Sequence, residues 1–414
     1  MRSEPFAAAG RGSRSTDNDE FSFGIEEEFF VADAATGRLL NRGHSTFKAE
    51  CKATLGGRYA SEMLQCQIET TTPILTEPAE AESALRSARA DLNEIASRHG
   101  LAIAASGTYP LATWNELNLT PRRRYRTIRE ELQIVGRRNV LCGLHVHVAP
   151  PRNASRVDLM NRSLPYLPLL LALSTSSPFW QRHPTGMRGY RLAAYDELPR
   201  TGLPAIFRNE GDYQLMLKTL VDSGVIPDGS HIWWAIRPSQ RYPTLELRIS
   251  DACTNVRDAL CIAALFRCLI RALWREPSLN AEIAPMTRLL VDENRWRAQR
   301  YGISGTYLDV RRAVLRPFAE LLSDFLAVIA DDAKWFGCTG ALGHAHTIAS
   351  RGTSADQQLA HYEHAVASGK SRMNAVREVC RWIMSATVSD SASSLSSAHD
   401  LHEPNAVASP APSP

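Results

Sequence analysis

Phe23-Gly-Ile-Glu-Glu-Glu-Phe29 is an apolar stretch interrupted by three consecutive acids. Read as a β-strand, whose side chains alternate between faces, it puts Glu26 and Glu28 on one side and Phe23, Ile25, Glu27 and Phe29 on the other. Two neighbouring carboxylates on an apolar strand need compensation, because an unpaired buried charge is costly. A hard divalent cation with oxygen ligands, a basic partner or water would supply it. Glu27, set among apolar neighbours, must find its own basic partner or solvent. Its loss is expected to weaken the fold more than any chemistry.

Other segments repeat the pattern. Residues 141–149 alternate, with Cys142, Leu144, Val146 and Val148 on one face and Gly143, His145 and His147 on the other. Residues 243–251 place Leu245, Leu247 and Ile249 inward and Thr244, Glu246, Arg248 and Ser250 opposite. In 61–70, Glu62 and Glu69 stand at odd spacing, which on one regular strand sends them to opposite faces. Both reach one site only through a bulge or a strand end, so Glu69 is the stronger candidate. Any one of these pairs alone is commonly a solvated edge or an ordinary ion pair. Together they point to a site.

Several carboxylates with one or two histidines suit Mg²⁺ or Mn²⁺ better than structural zinc. Such ions neutralise a triphosphate and a substrate carboxylate together. Arg248 beside Glu246 would then cover charge developing on a transferring phosphoryl group. The chain has neither a Gly-x-x-x-x-Gly-Lys-Ser/Thr loop nor a Gly-x-Gly-x-x-Gly fingerprint, so ATP would be held without a P-loop.

The remaining 414-residue chain narrows the class. A formal charge of +3 implies no general attraction to nucleic acid or an anionic membrane. The eight cysteines form no CxxC pair, which fits buried thiols in a reducing, cytoplasmic compartment. Residues 164–173 are too short and too proline-rich for a membrane span, which needs roughly 18 to 20 apolar residues. Residues 1–20 and 388–414 read as disordered tails, leaving 21–387 as one catalytic unit.

Within that unit, Leu85, Ala88, Leu92, Ile95 and Ala96 predict a helix between Pro78 and Gly100, followed by a buried strand at 101–105. Core helices are expected at 255–275 and 308–329. Strands joined by long irregular connections favour an α+β class over a doubly wound parallel sheet.

Six stretches carry a resemblance to a known group: Phe23-Gly-Ile-Glu-Glu-Glu-Phe29, Cys142-Gly-Leu-His-Val-His-Val148, Pro199-Arg-Thr-Gly-Leu-Pro204, Trp234-Ala-Ile-Arg-Pro238, Pro243-Thr-Leu-Glu-Leu-Arg-Ile-Ser-Asp251 and Glu293-Asn-Arg-Trp-Arg-Ala298. Over about 21–326 the chain resembles the carboxylate-amine ligases that include type 2 glutamate-cysteine ligase. The resemblance implies a curved antiparallel sheet forming a glutamine synthetase-like catalytic funnel with surrounding helices. It also implies transfer of the γ-phosphate of ATP to a glutamate-like carboxylate and displacement by an amine such as that of cysteine. The products would be γ-glutamylcysteine, ADP and phosphate, as a main or a weak side activity.

Carried onto this chain, the resemblance makes Glu26, Glu28, Glu69, His145 and Glu246 metal ligands, with Glu62 a further one. Arg248, with Glu246, is the catalytic candidate, and Arg241, His147 and Arg248 are candidates for nucleotide contact. The segment Gly186-Met-Arg-Gly-Tyr-Arg191 departs from the Gly-Tyr-x-Ser-x-Arg type of the group and borders the substrates.

A kinase of a guanidino or amine group, a metallohydrolase and a noncatalytic ATP sensor stay open as alternatives, as does assembly into a homo-oligomer. The arginine run at 122–129 reads as a solvated first helical turn. His344, His346, His361 and His364 read as polar surface, and Trp233 and Trp234 as packing.

Overall fold

The computed structural model describes residues 20–41 and 44–389, so the expectations for the termini at 1–19 and 390–414 lie outside it. The opening stretch becomes the first part of strand β1 (Phe23–Asp33). One edge of β1 takes β3 (Gln67–Thr71), and the other takes β5 (Leu144–Val148) over its first half and β4 (Leu101–Ala104) over its second. Outside β3 lies β2 (Tyr59–Ser61). A two-residue hairpin, β6 (Phe179–Trp180) with β7 (His183–Pro184), stands apart. Outside β5 come β9 (Leu245–Leu247) and then β8 (Ile236–Pro238). Every pairing in this open seven-stranded sheet is antiparallel, as the family resemblance implies.

The odd-numbered side of β1 faces the core. Ile25 and Phe29 are fully buried there, and each large apolar side chain removed from water contributes about 1.5–3 kcal/mol. The helix Pro78–Arg98 buries the expected residues Leu85, Ala88, Leu92, Ile95 and Ala96. Its first turn is closed by a capping box, in which Glu80 accepts from the backbone N–H of Glu77 at 3.0 Å. Gly100, at φ +69°, ends it as predicted. The helix Val256–Arg275 is likewise buried over a broad face, and the apolar run near 164–173 forms the wholly buried helix Leu167–Ser174. No helix among the described residues is long and apolar enough to cross a membrane.

Expectation fails at 308–329. Its first part pairs as a hairpin, Thr306–Asp309 with Val314–Pro317, and only Phe318–Val328 is helical. Pro317 cannot donate within a helix and so belongs at the boundary. Elsewhere His344 Nε2 meets Asp258 Oδ1 at 2.8 Å, and Trp234 packs against Phe207 and Tyr213.

Glu27 finds the partner its position demands. Arg89, on the helix Pro78–Arg98, meets both of its oxygens at 2.5 and 3.2 Å. The remaining Arg89 donors reach the carbonyls of Cys253, Thr254 and Thr387 at 2.8, 2.8 and 3.0 Å. All five guanidinium N–H groups are thereby used. Removing one side of a buried pair leaves an uncompensated charge and costs about 3–5 kcal/mol. Arg89→Met is expected to lose that much unfolding free energy in chemical denaturation. A loss below about 1 kcal/mol would contradict this role.

Candidate active site

Sheet register brings the polar residues of separate strands into one field. Across β1 and its neighbours, Glu26 lies opposite His145 and Glu28 opposite Glu69. His147 lies opposite Glu246, and Glu246 opposite Arg237. The shared face follows from the period of two. Glu62 joins the same face, against the single-strand parity argument. Residues 61–70 are not one strand but a hairpin, with a turn closed by Gln67 N–H donating to the Leu64 carbonyl at 3.0 Å. Ala60 pairs with Glu69, so Glu62, two residues on, points the same way as Glu69.

Two acidic clusters result, and in each the candidate ligand atoms lie within 4.8 Å of one another: Glu28, Glu62 and Glu69, and Glu26, His145 and Glu246. Their electrostatics differ. Among the described residues, the first cluster makes no ion pair; its clearest support is the Gly143 N–H, which donates to Glu28 Oε2 at 2.6 Å. Burial and the charge of Glu62 push Glu28 up to about 7. Burial, then the charges of Glu26, Glu62 and Glu28, push Glu69 well above the usual carboxylate range. Three crowded carboxylates of this kind are an oxygen donor set for a hard divalent cation, and they fit Mg²⁺ or Mn²⁺.

The second cluster is already rich in cations. Arg237 donates to Glu246 Oε2 at 2.8 Å and Arg248 to Oε1 at 2.5 Å. Burial opposes ionisation of Glu246, but Arg248 and Arg237 outweigh it and hold the group at about 2. Burial also opposes ionisation of Glu26, which His145 and His147 nevertheless hold well below its usual value. Burial, then Arg248, lowers His145 to about 4, so it is neutral at pH 7. Its Nε2 is buried without a partner, leaving a lone pair for a cation. Glu246 can add a ligand oxygen only by sharing Oε1 or Oε2 with an arginine.

His147 Nδ1 is hydrogen-bonded with Thr244 Oγ1 at 2.9 Å, and its Nε2 lies 3.3 Å from Glu26 Oε1, close enough for charge contact but outside hydrogen-bond geometry. It therefore orients Glu26. Arg241 is exposed beyond β8, over the Tyr242 ring at 5.1 Å, and Tyr242 meets the edge of His147. Arg241 stands outside both acidic clusters.

The family model for glutamate-cysteine ligase family 2 matches residues 22–381. The chain belongs to that family. A relative from Bradyrhizobium diazoefficiens, named "Putative glutamate--cysteine ligase 2", is 42% identical over 92% of this chain and 87% of its own. One of the same name from Rhodospirillum rubrum is 45% identical over 89% and 96%. Among solved structures, the glutamate-cysteine ligase of Francisella tularensis in complex with AMP shares the fold at a TM-score of 0.64 and 12% identity, over 90% of both chains. The bifunctional glutathione synthetase of Pasteurella multocida matches at 0.64 and 15% identity, over 89% of this chain and 53% of its own. This member of glutamate-cysteine ligase family 2 is an ATP-dependent carboxylate-amine ligase.

Three side chains of this ligase's site escape strand-pattern reading. Arg237 lies in the Trp234–Pro238 motif, where alternation between Ile236 and Pro238 marks its face, but β8 is only three residues long. Arg191 and Tyr195 come from the six-residue helix Tyr190–Tyr195, too short to show a period. Tyr195 accepts from Arg248 Nη2 at 3.2 Å.

Glu28 gives a pH dependence. Its folded pKa of about 7 exceeds the ordinary 4.5. The folded protein thus holds the proton more tightly, and the stability this supplies is fully present below 4.5 and lost as pH rises through about 7. Without divalent cations, the ligase is expected to lose stability from this group over that interval. Saturating Mg²⁺ should restore about 2.7 kcal/mol at about 100 times its dissociation constant, more at pH 8 than at pH 5.5. Thermal denaturation with and without Mg²⁺ measures it, and Glu28→Gln should shrink the difference between the two pH values, Glu69 keeping the rest.

Proposed function

We propose that this ligase phosphorylates the γ-carboxylate of a glutamate-like substrate with Mg²⁺ and ATP and joins it to the amine of cysteine. Family membership supports the reaction type. The observation that carries the metal is the Glu28, Glu62 and Glu69 cluster, where three carboxylates converge and, among the described residues, none is paired with a protein cation. Glu26 and His145 would hold a second ion beside Glu246. Such ions, when bound, neutralise phosphate charge and align the transferring group.

The chain's own residues do the rest. Arg248 is fixed by Glu246 and Tyr195 on the cluster's flank, so its charge is already oriented before a phosphoryl group arrives. Arg237 keeps Glu246 ionised from the opposite side. His147, locked by Thr244, orients Glu26. Arg241, at the exposed turn, offers a cation to the outer phosphates. As the γ-phosphorus bonds the substrate carboxylate oxygen, its bond to the ADP oxygen breaks. The amine nitrogen then bonds the acyl carbon, phosphate leaves, and the amine's proton passes to solvent.

The test follows ADP, phosphate and amide with glutamate and cysteine, each omitted in turn. Amide and ADP in equal amounts, requiring both substrates and Mg²⁺, are expected. ADP release independent of any carboxylate acceptor would sink the reading. Arg248→Lys is expected to lower kcat by about 10²–10³-fold, the cost of removing one preorganised stabilising group. Glu28→Gln and Glu246→Gln are expected to lose Mg²⁺-dependent turnover while retaining the fold by circular dichroism.

A further inference from the structure

The stretch 293–298 contributes no side chain to either acidic cluster, yet its helix, Pro285–Tyr301, holds both ends of the short helix Tyr190–Tyr195. Six residues are too few for a helix to persist by its own hydrogen bonds, and its N-cap, Gly189, has no side chain to close it. Its place is set from outside. At its start, the N–H groups of Arg188 and Gly189 donate to the Gln299 carbonyl at 2.7 and 2.9 Å. Those of Tyr190 and Arg191 donate to the carbonyl and hydroxyl of Ser177 at 3.0 and 2.9 Å. Gln299 lies in the last turn of its helix, where carbonyls have no intrahelical donor.

At the other end stands the C-cap, Asp196. A carboxylate at the carbonyl end of a helix meets partial negative charge and needs a cation. Arg295 supplies it: Nη1 donates to Asp196 Oδ2 at 2.6 Å, while Asp196 Oδ1 is buried without a partner. The Arg295 side chain is only 12% exposed and is braced on its own helix by Asp292, which accepts from Nε at 2.8 Å. Next to it, Asn294 makes two hydrogen bonds with the backbone of Leu308, at 2.7 and 2.8 Å, and so anchors the helix to the hairpin that follows.

The residue before Asp196 is Tyr195, whose hydroxyl accepts from Arg248 Nη2. Arg248 gives Nη1 to Glu246, and its Nε is buried without a partner. A guanidinium held at one nitrogen alone can pivot about that contact, and a second fixed point stops it. The Tyr195 hydroxyl is that point, and it is only as fixed as the end of the helix that carries it.

We propose that Arg295 is a positioning residue for phosphoryl transfer: by holding Asp196 it fixes Tyr195, and through Tyr195 the Arg248 guanidinium. The assignment rests on the reading of Arg248 given above. Arg295 touches no reacting atom, so its loss should appear in kcat rather than in binding. The start of the short helix, tied to Gln299 and Ser177, keeps its place when the end is released.

The test follows ADP release with whichever carboxylate and amine pair supports turnover in the wild type. Arg295→Met is expected to lower kcat about 10²-fold, the scale of a small misplacement at a reacting centre, and to leave KM for ATP and for the acceptor within about 3-fold. Tyr195→Phe is expected to lose about as much, and the double variant no more than either, instead of the roughly 10⁴-fold product that independent sites would give. Arg295→Lys, which can keep one contact with Asp196, should recover most of the loss. A multiplied loss in the double variant, an unchanged kcat in either single variant, or a loss confined to KM overturns the assignment. If Arg295→Met does not fold, as judged by thermal denaturation, Asp196→Asn, which keeps the shape and removes the charge, replaces it in the same cycle. Arg248→Lys separates the two levels. Wild-type kcat there overturns the reading of Arg248 itself, whereas a loss there with none in Arg295→Met overturns the positioning alone.

Discussion

The bidentate contact between Glu27 and Arg89 is what lets β1 carry acids on both faces. Three successive glutamates cannot all point at one cavity, because strand alternation turns the middle one inward. Left alone in the core, that carboxylate would oppose the pairing of β1 with its neighbours. Arg89 neutralises it and, with its three remaining N–H groups, ties β1 to the helix Pro78–Arg98, to the segment entering Val256–Arg275 and to the end of Arg372–Val388. The strand that presents Glu26 and Glu28 is thereby fixed from behind. A flexing strand could not keep their oxygens near those of Glu69 and His145.

On the outer face, charge is divided rather than cancelled. Glu246 sits between two guanidiniums and stays ionised at the expense of free lone pairs. Glu28 and Glu69 have few protein donors and resist full ionisation. One side of the field is thus preorganised by protein cations, and the other is the side proposed above to take an external one. That asymmetry suits phosphoryl transfer, where fixed positive charge must meet the moving group while exchangeable ions accompany the nucleotide.

Alternation alone places Glu26, Glu28, His145 and Glu246, because each lies in a strand whose apolar residues mark the opposite side. The α+β class is legible from the long, irregular connections between strands, whereas the antiparallel order comes only with the family resemblance. The turn within 61–67 is not legible. It contains no glycine, proline or asparagine, and it is built from Met63, Leu64, Gln65 and Cys66, so nothing in composition announces a reversal. One unseen turn changes the parity that decides Glu62. Helical periodicity at 308–329 misleads in the other direction, since Leu308 and Leu315 belong to paired strands. The basic side of the site is hardest to read. Arg191 and Arg237 stand on elements too short to display any period, and only tertiary packing reveals what they face.

The last of the Arg89 contacts carries a consequence for how the chain is made. Its acceptors lie at residues 253, 254 and 387, and the Thr387 carbonyl is 298 positions away along the chain. During synthesis, β1 and the helix beside it emerge well before residue 387, so one of the Arg89 hydrogen bonds waits on a residue added 298 positions later. Contacts of such separation are entropically slow to close. A nascent chain therefore holds β1 against an incompletely satisfied Arg89 until the helix Arg372–Val388 has been made and docked.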